Sequence, residues 1–168
     1  MSSKTFKSQS NLASRFCQIT PINLKRKSMA HITKKYDFIA EFFDIDSMGV
    51  MWHGNYVRYM EAARCRFLDE VGFSYLKMKE AGFALPVVKL DCKYIAPIEF
   101  NKRFCIEVEL LEFECFFRLG YRFVDISGAR LCQAHTSQVA ILLESKETCL
   151  YLPSEFRESL SAFINHAK

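Results

Sequence analysis

One apolar stripe limits the fold more than any other feature of the chain. Between Asn55 and Gly72, the residues Tyr56, Met60, Ala63, Phe67 and Val71 recur three or four apart, the spacing that lines one face of an α-helix. Asn55 is a good N-cap and Gly72 a good terminator, so the pattern predicts a helix over Tyr56–Val71. Its apolar face, about 24 Å long at 1.5 Å per residue, has to be covered by something else. The flanking sequence supplies strands. Tyr36–Phe43 suits one, and a short helical stretch, Tyr75–Ala81, leads into four more: Ala84–Tyr94, Arg103–Phe113, Phe116–Ile126 and Ala129–Glu144. Ser127-Gly128 marks a hairpin between the last two, and Pro153 opens a final helix, Ser154–Asn165. One long helix among antiparallel strands predicts an α+β domain with the helix against the sheet.

Composition supports a packed core. Half of the 168 residues are hydrophobic and sixteen are Phe, which excludes disorder throughout the chain and suits one domain. No apolar run approaches the roughly 20 residues needed to span a bilayer. The net charge of +4 is unevenly placed: residues 1–36 hold eight Lys or Arg and no acid, leaving the remainder at −4. The folded part is therefore mildly acidic, and its composition offers no case for a nucleic-acid-binding surface. Residues 1–35 are expected to be a basic, disordered leader without the apolar region of a secretory signal, import into an organelle being left open. Residues 36–168 are expected to form the domain. Seven cysteines, an odd number without a C-x-x-C pair, are expected to be reduced, buried packing residues in a cytoplasm-like compartment.

Reactive side chains gather just ahead of the long helix, where Asp44, Asp46 and His53 lie within ten residues. A helix N-terminus offers unpaired N–H groups and the positive end of a dipole, which stabilise an oxyanion; a nearby carboxylate can attack a carbonyl or activate water. That layout suits acyl transfer. Spacing alone favours a plainer reading, in which the aspartates accept from turn amides and His53 is a loop residue. The run Asp44-x-Asp46-x-x-Gly49 imitates the start of a calcium loop, but Met48 and Asn55 stand where ligands are needed. No nucleophile elbow, Walker loop or dinucleotide fingerprint is present.

The stretch Phe43-Asp-Ile-Asp46-Ser-Met-Gly49-Val-Met-Trp52-His53-Gly-Asn55-Tyr56-Val-Arg-Tyr-Met-Glu61-Ala-Ala-Arg64 resembles the signature of hotdog-fold acyl-CoA thioesterases. It is most similar to the 4-hydroxybenzoyl-CoA thioesterase and YbgC-like group, with a pattern of about D-x-D-x-x-G-x-x-x-H-x-N-Y followed by E-x-A-R. Lys93-Tyr-Ile-Ala-Pro97 resembles that group's strand-opening Y-x-x-P. The resemblance implies a sheet wrapped around the helix and hydrolysis of an acyl-CoA or acyl-carrier-protein thioester, with no metal or redox cofactor. It implies Asp46 as nucleophile or general base, and His53 as oxyanion support through its backbone N–H, with its imidazole assisting. Gly49 would allow the tight loop, and Asn55 and Tyr56 would set the helix terminus.

Glu61 is a backup carboxylate, because another branch of the fold uses one on the helix; otherwise it pairs with Arg58 or Arg64. Trp52 and Gly54 depart from the Tyr and Ala common in the group, which points to an altered pocket shape. The resemblance also implies a site shared between subunits, hence a homodimer or homotetramer. Lys93, Lys102, Arg103, Arg118 and Arg122 are candidates for the substrate phosphates. The alternative reading is a hotdog protein that binds acyl-thioesters without hydrolysis, or serves assembly.

Overall fold

A computed structural model describes residues 32–166. The expected leader lies mostly outside them; its last residues belong to the first strand. Strands β1 (Thr33–Ile39), β4 (Arg103–Glu112), β5 (Phe117–Asp125), β6 (Arg130–Gln138) and β3 (Val87–Tyr94) form an antiparallel sheet in the order β1-β4-β5-β6-β3. β2 (Phe83–Ala84) and β7 (Ile141–Leu142) pair separately. The helices are α1 (His53–Val71), α2 (Tyr75–Glu80) and α3 (Ser154–His166). The fold is α+β, with α1 packed against the sheet.

Period-two patterning builds the covered face. Ile106, Val108 and Leu110 of β4 are buried opposite Phe123, Tyr121 and Leu119 of β5. All five residues of the predicted stripe of α1 are buried in the same core, joined by Tyr59 and Leu68. At α3, Phe156 meets the rings of Phe73, Phe83 and Phe117, and Phe163 meets Phe67. The other sheet face is charged: Glu107 bonds Lys35 and Arg122, each at 2.9 Å. This removes the shared carboxylate below its ordinary range, first through the Lys35 bond.

Several boundaries depart from the sequence pattern. β1 begins at Thr33, ahead of Tyr36, and ends at Ile39. Phe42 and Phe43 enter a single 3-10 turn and are 81% and 69% exposed, although their hydrophobicity reads as strand. The run Ala84–Tyr94 is divided at Leu85-Pro86, because proline has no N–H for a ladder. The run Ala129–Glu144 divides after Gln138, and Ile141–Leu142 leave the main sheet for β2. α1 begins three residues before Tyr56 and is about 28 Å long. Of the six described cysteines, none is in a disulfide; Cys132 is buried and the other five are half-buried, so burial was over-assigned, and Cys17 lies outside the described residues.

Candidate active site

The loop before α1 is a small hairpin. Asp46 N donates to Val50 O at 2.9 Å and Gly49 N to Asp46 O at 3.0 Å, with Gly49 in the left-handed region at φ 78°. An aspartate at the head of such a turn accepts from an amide two residues on, and Asp46 Oδ1 does so from Met48 N at 2.8 Å. Its other carboxylate oxygen has no hydrogen bond among the described residues. Val50 bridges to Glu99, and Met51 N donates to Ile98 O at 2.7 Å, which lays the hairpin against the chain leaving β3. Between them is a cleft of about 310 Å³. Asp46, His53 and Tyr56 line one side, and Tyr94–Pro97 the other.

The helix terminus differs from the sequence expectation. Trp52, not Asn55, is the N-cap, and its side chain makes no capping bond. Asn55 lies within the first turn and works in the opposite sense, its Nδ2 donating to Asp44 O at 3.0 Å. Trp52 N donates to the same carbonyl at 2.8 Å. One loop carbonyl thus ties down the start of the helix. The amides of His53 and Gly54 precede the first residue that an i→i−4 bond can reach. The first turn of α1 holds no acidic residue that would offset its positive end. The first of these donors belongs to His53, which lines the cleft with Asp46, and Gly54 follows it in the helix.

Asp44 is held elsewhere. It is fully buried and accepts from Glu41 N at 2.8 Å, from the Arg58 guanidinium and from the Tyr59 hydroxyl. Burial, then the bond to Asp44, pushes the Tyr59 phenol up to about 12. Asp44 is thus taken up by structure and does not join Asp46 as a ligand or base. Burial likewise pushes Tyr56 and Tyr94 up to about 12, so both remain phenols at neutral pH. Their rings meet edge to face at 5.0 Å, and Tyr94 donates to His53 O at 3.1 Å.

Glu61 does not line the cleft. It pairs with Arg64, as one of the two expected partners, and accepts from Tyr75 at 2.8 Å. Arg64 itself is buried, a placement the sequence reading missed; it lies four residues after Met60, on the flank of the apolar stripe, and that spacing was the available signal. Tyr94 as a cleft wall was also missed, although it sits inside the quoted Y-x-x-P run. A larger hollow of about 650 Å³, lined by Asp37, Arg66, Arg103 and Asp125, contains the phosphate candidate Arg103 but none of the predicted catalytic or helix-terminus residues. Size alone therefore does not mark the site.

The family model of the thioesterase-like superfamily matches residues 41–164. YneP of Bacillus subtilis, provisionally assigned as an acyl-CoA thioesterase, is 25% identical over 130 residues, covering 77% of this chain and 90% of its own. Among solved structures, a gentisyl-coenzyme A thioesterase superposes with a TM-score of 0.67 at 27% identity, covering 75% of this chain and 98% of that one. A hypothetical protein of Aquifex aeolicus gives a TM-score of 0.70 at 27% identity, with coverage of 76% and 98%.

Proposed function

The chain belongs to the thioesterase-like superfamily of hotdog proteins, and from that premise we propose that it hydrolyses the thioester of an acyl-CoA, or of an acyl-carrier protein, to a free acid and a thiol. One observation carries the reading: Asp46, with one oxygen free of hydrogen bonds, lines the same small cleft as His53 at the start of α1. In this reading the thioester carbonyl faces the amides of His53 and Gly54. Asp46 takes a proton from water as it attacks the carbonyl carbon, or attacks that carbon itself to give an anhydride that water then opens. As the tetrahedral centre collapses, the C–S bond breaks and the departing sulfur takes a proton. Each oxyanion donor is worth about 10²–10³ in rate. The imidazole of His53 is the group suited to move the proton, since the phenols of Tyr56 and Tyr94 hold theirs. Gly49 and Asn55 act on the loop and the helix start.

For the carrier end of the substrate, Arg118 and Arg122 are engaged with Glu112 and Glu107. Lys93, next to Tyr94, is the cation we assign to the phosphates. A homodimer is supported by the edge strand β3. It lies at the end of the sheet order, exposes Val87, Val88, Leu90 and Tyr94, and leads directly into the cleft wall. An unpaired apolar edge is a template for pairing with another strand, and two such dimers give the tetramer. No helix among the described residues is long and apolar enough to cross a membrane; the thiols of the six described cysteines, none in a disulfide, support a reducing, cytoplasmic setting.

The test is a panel of acyl-CoAs of graded chain length, aromatic acyl groups included, assayed for thiol release by wild type and Asp46→Asn. Release by wild type and its loss in the variant supports the reading. Equal activity in both removes Asp46 as catalyst. Binding of every thioester without release turns the assignment to a non-hydrolytic binder.

A further inference from the structure

Gly54 stands in the first turn of α1, where no positive φ calls for glycine and alanine would make the better helix. Packing accounts for it. A Cβ at residue 54 would lie 2.7 Å from Cε3 of the Trp52 indole, and closer still to Cζ3 and Cη2. The indole therefore fills the volume of the side chain that Gly54 lacks. Half-exposed there, it meets the ring of His53, with centroids 4.8 Å apart and planes inclined by 51°. The imidazole of His53 has no hydrogen bond among the described residues, so nothing polar fixes its orientation. The indole is the ring packed beside it.

We propose that Trp52 and Gly54 form one unit that positions the His53 imidazole at the cleft. Trp52 is a positioning residue acting through His53, and Gly54 is the seat that admits its ring. The two departures from the related signature are thus a single coupled one: the larger aromatic ring requires the smaller neighbour. The kinetic consequence rests on the thioesterase reading above; the geometric one does not.

Gly54→Ala is the informative variant, because it displaces the indole without altering either ring and favours the helix. Its melting temperature should stay at or above that of wild type. Trp52 is the only tryptophan in the chain, so its emission reports the seat directly. In Gly54→Ala the emission should shift to the red and become more open to acrylamide quenching. The His53 ring protons, assigned by their loss in His53→Ala, should lose the shift imposed by the indole ring current. With the best thioester of the panel, kcat should fall about tenfold with KM little changed. Gly54→Ala should then cost nothing further in a Trp52→Ala or His53→Ala background, because residues acting as one unit are not additive. Emission and His53 resonances that stay at their wild-type positions would overturn the proposal, as would an equal fall in kcat in the His53→Ala background. A protein that releases no thiol refutes the thioesterase reading, while the emission and resonance measurements still decide whether Trp52 positions His53.

Discussion

Asp44 and Asp46 carry the same carboxylate two residues apart, yet one is sealed into an anchor and the other faces a cleft. Asp44 is surrounded by three donors: the Glu41 amide before it, and Arg58 and Tyr59 from α1. Asp46 spends one oxygen on its own turn and leaves the other open. A buried charge persists only when its lone pairs are satisfied, whereas a reactive one needs a lone pair to spare. The anchor makes the cleft possible, since the Asp44 carbonyl holds both Trp52 N and Asn55 Nδ2 and so fixes where the helix amides begin.

If this division of labour holds, exchanging the two acids separates activity from stability. Asp46→Asn keeps an oxygen for the Met48 amide but removes the charge, so kcat should fall by about 10³, roughly 4 kcal/mol. Its unfolding free energy should stay within about 0.5 kcal/mol of wild type in a urea titration. Asp44→Ala should do the reverse first. It strands Tyr59 and the half-exposed Arg58 and should lower stability by about 3 kcal/mol, read as a fall in Tm of roughly 10 °C by calorimetry. An Asp44→Ala protein as stable as wild type would remove the anchor from the comparison.

His53→Ala tests the cleft alone, and its kcat should fall by about 10² with little loss of stability. Unchanged kcat would leave only the backbone N–H of that residue in the mechanism. Tyr59→Phe sharpens the anchor and should cost about 2 kcal/mol at neutral pH, the worth of a hydrogen bond to a charged group. The Tyr59 phenol is raised to about 12 from an ordinary 10. The stability it adds is therefore complete below pH 10 and declines as the pH climbs from 10 towards 12, where the unfolded phenol ionises and the folded one does not. Urea titrations across that range should show the gap between wild type and Tyr59→Phe narrowing; a constant gap would contradict the assignment.

Much of the fold was legible because it is periodic. The stripe from Tyr56 to Val71 and the alternation through β4 are properties of short windows, and every member of the stripe is buried. The boundaries were less legible. Asn55 reads as a cap from its residue type, but its amide nitrogen turns to a carbonyl eleven residues earlier. Phe42 and Phe43 read as strand because hydrophobicity alone does not reveal that the chain has left the sheet. At the site, the motif drew attention to Asp46 and His53, which line one cleft, and to Glu61, which does not line it and is held by Arg64 and Tyr75. Tyr94, from the far side of the chain, completes the cleft, and spacing around the loop carries no sign of it.

The sequence by itself determined which segments are helix and strand and which face of each is apolar, since a side chain's hydrophobicity and its period travel with the chain. Only the tertiary structure decided which carboxylate is saturated and which is open, that Arg64 is buried, and that an indole takes the place of a side chain at Gly54. Those outcomes depend on donors, rings and free volume arriving from residues remote in sequence, and no local pattern encodes how far apart such groups come to rest.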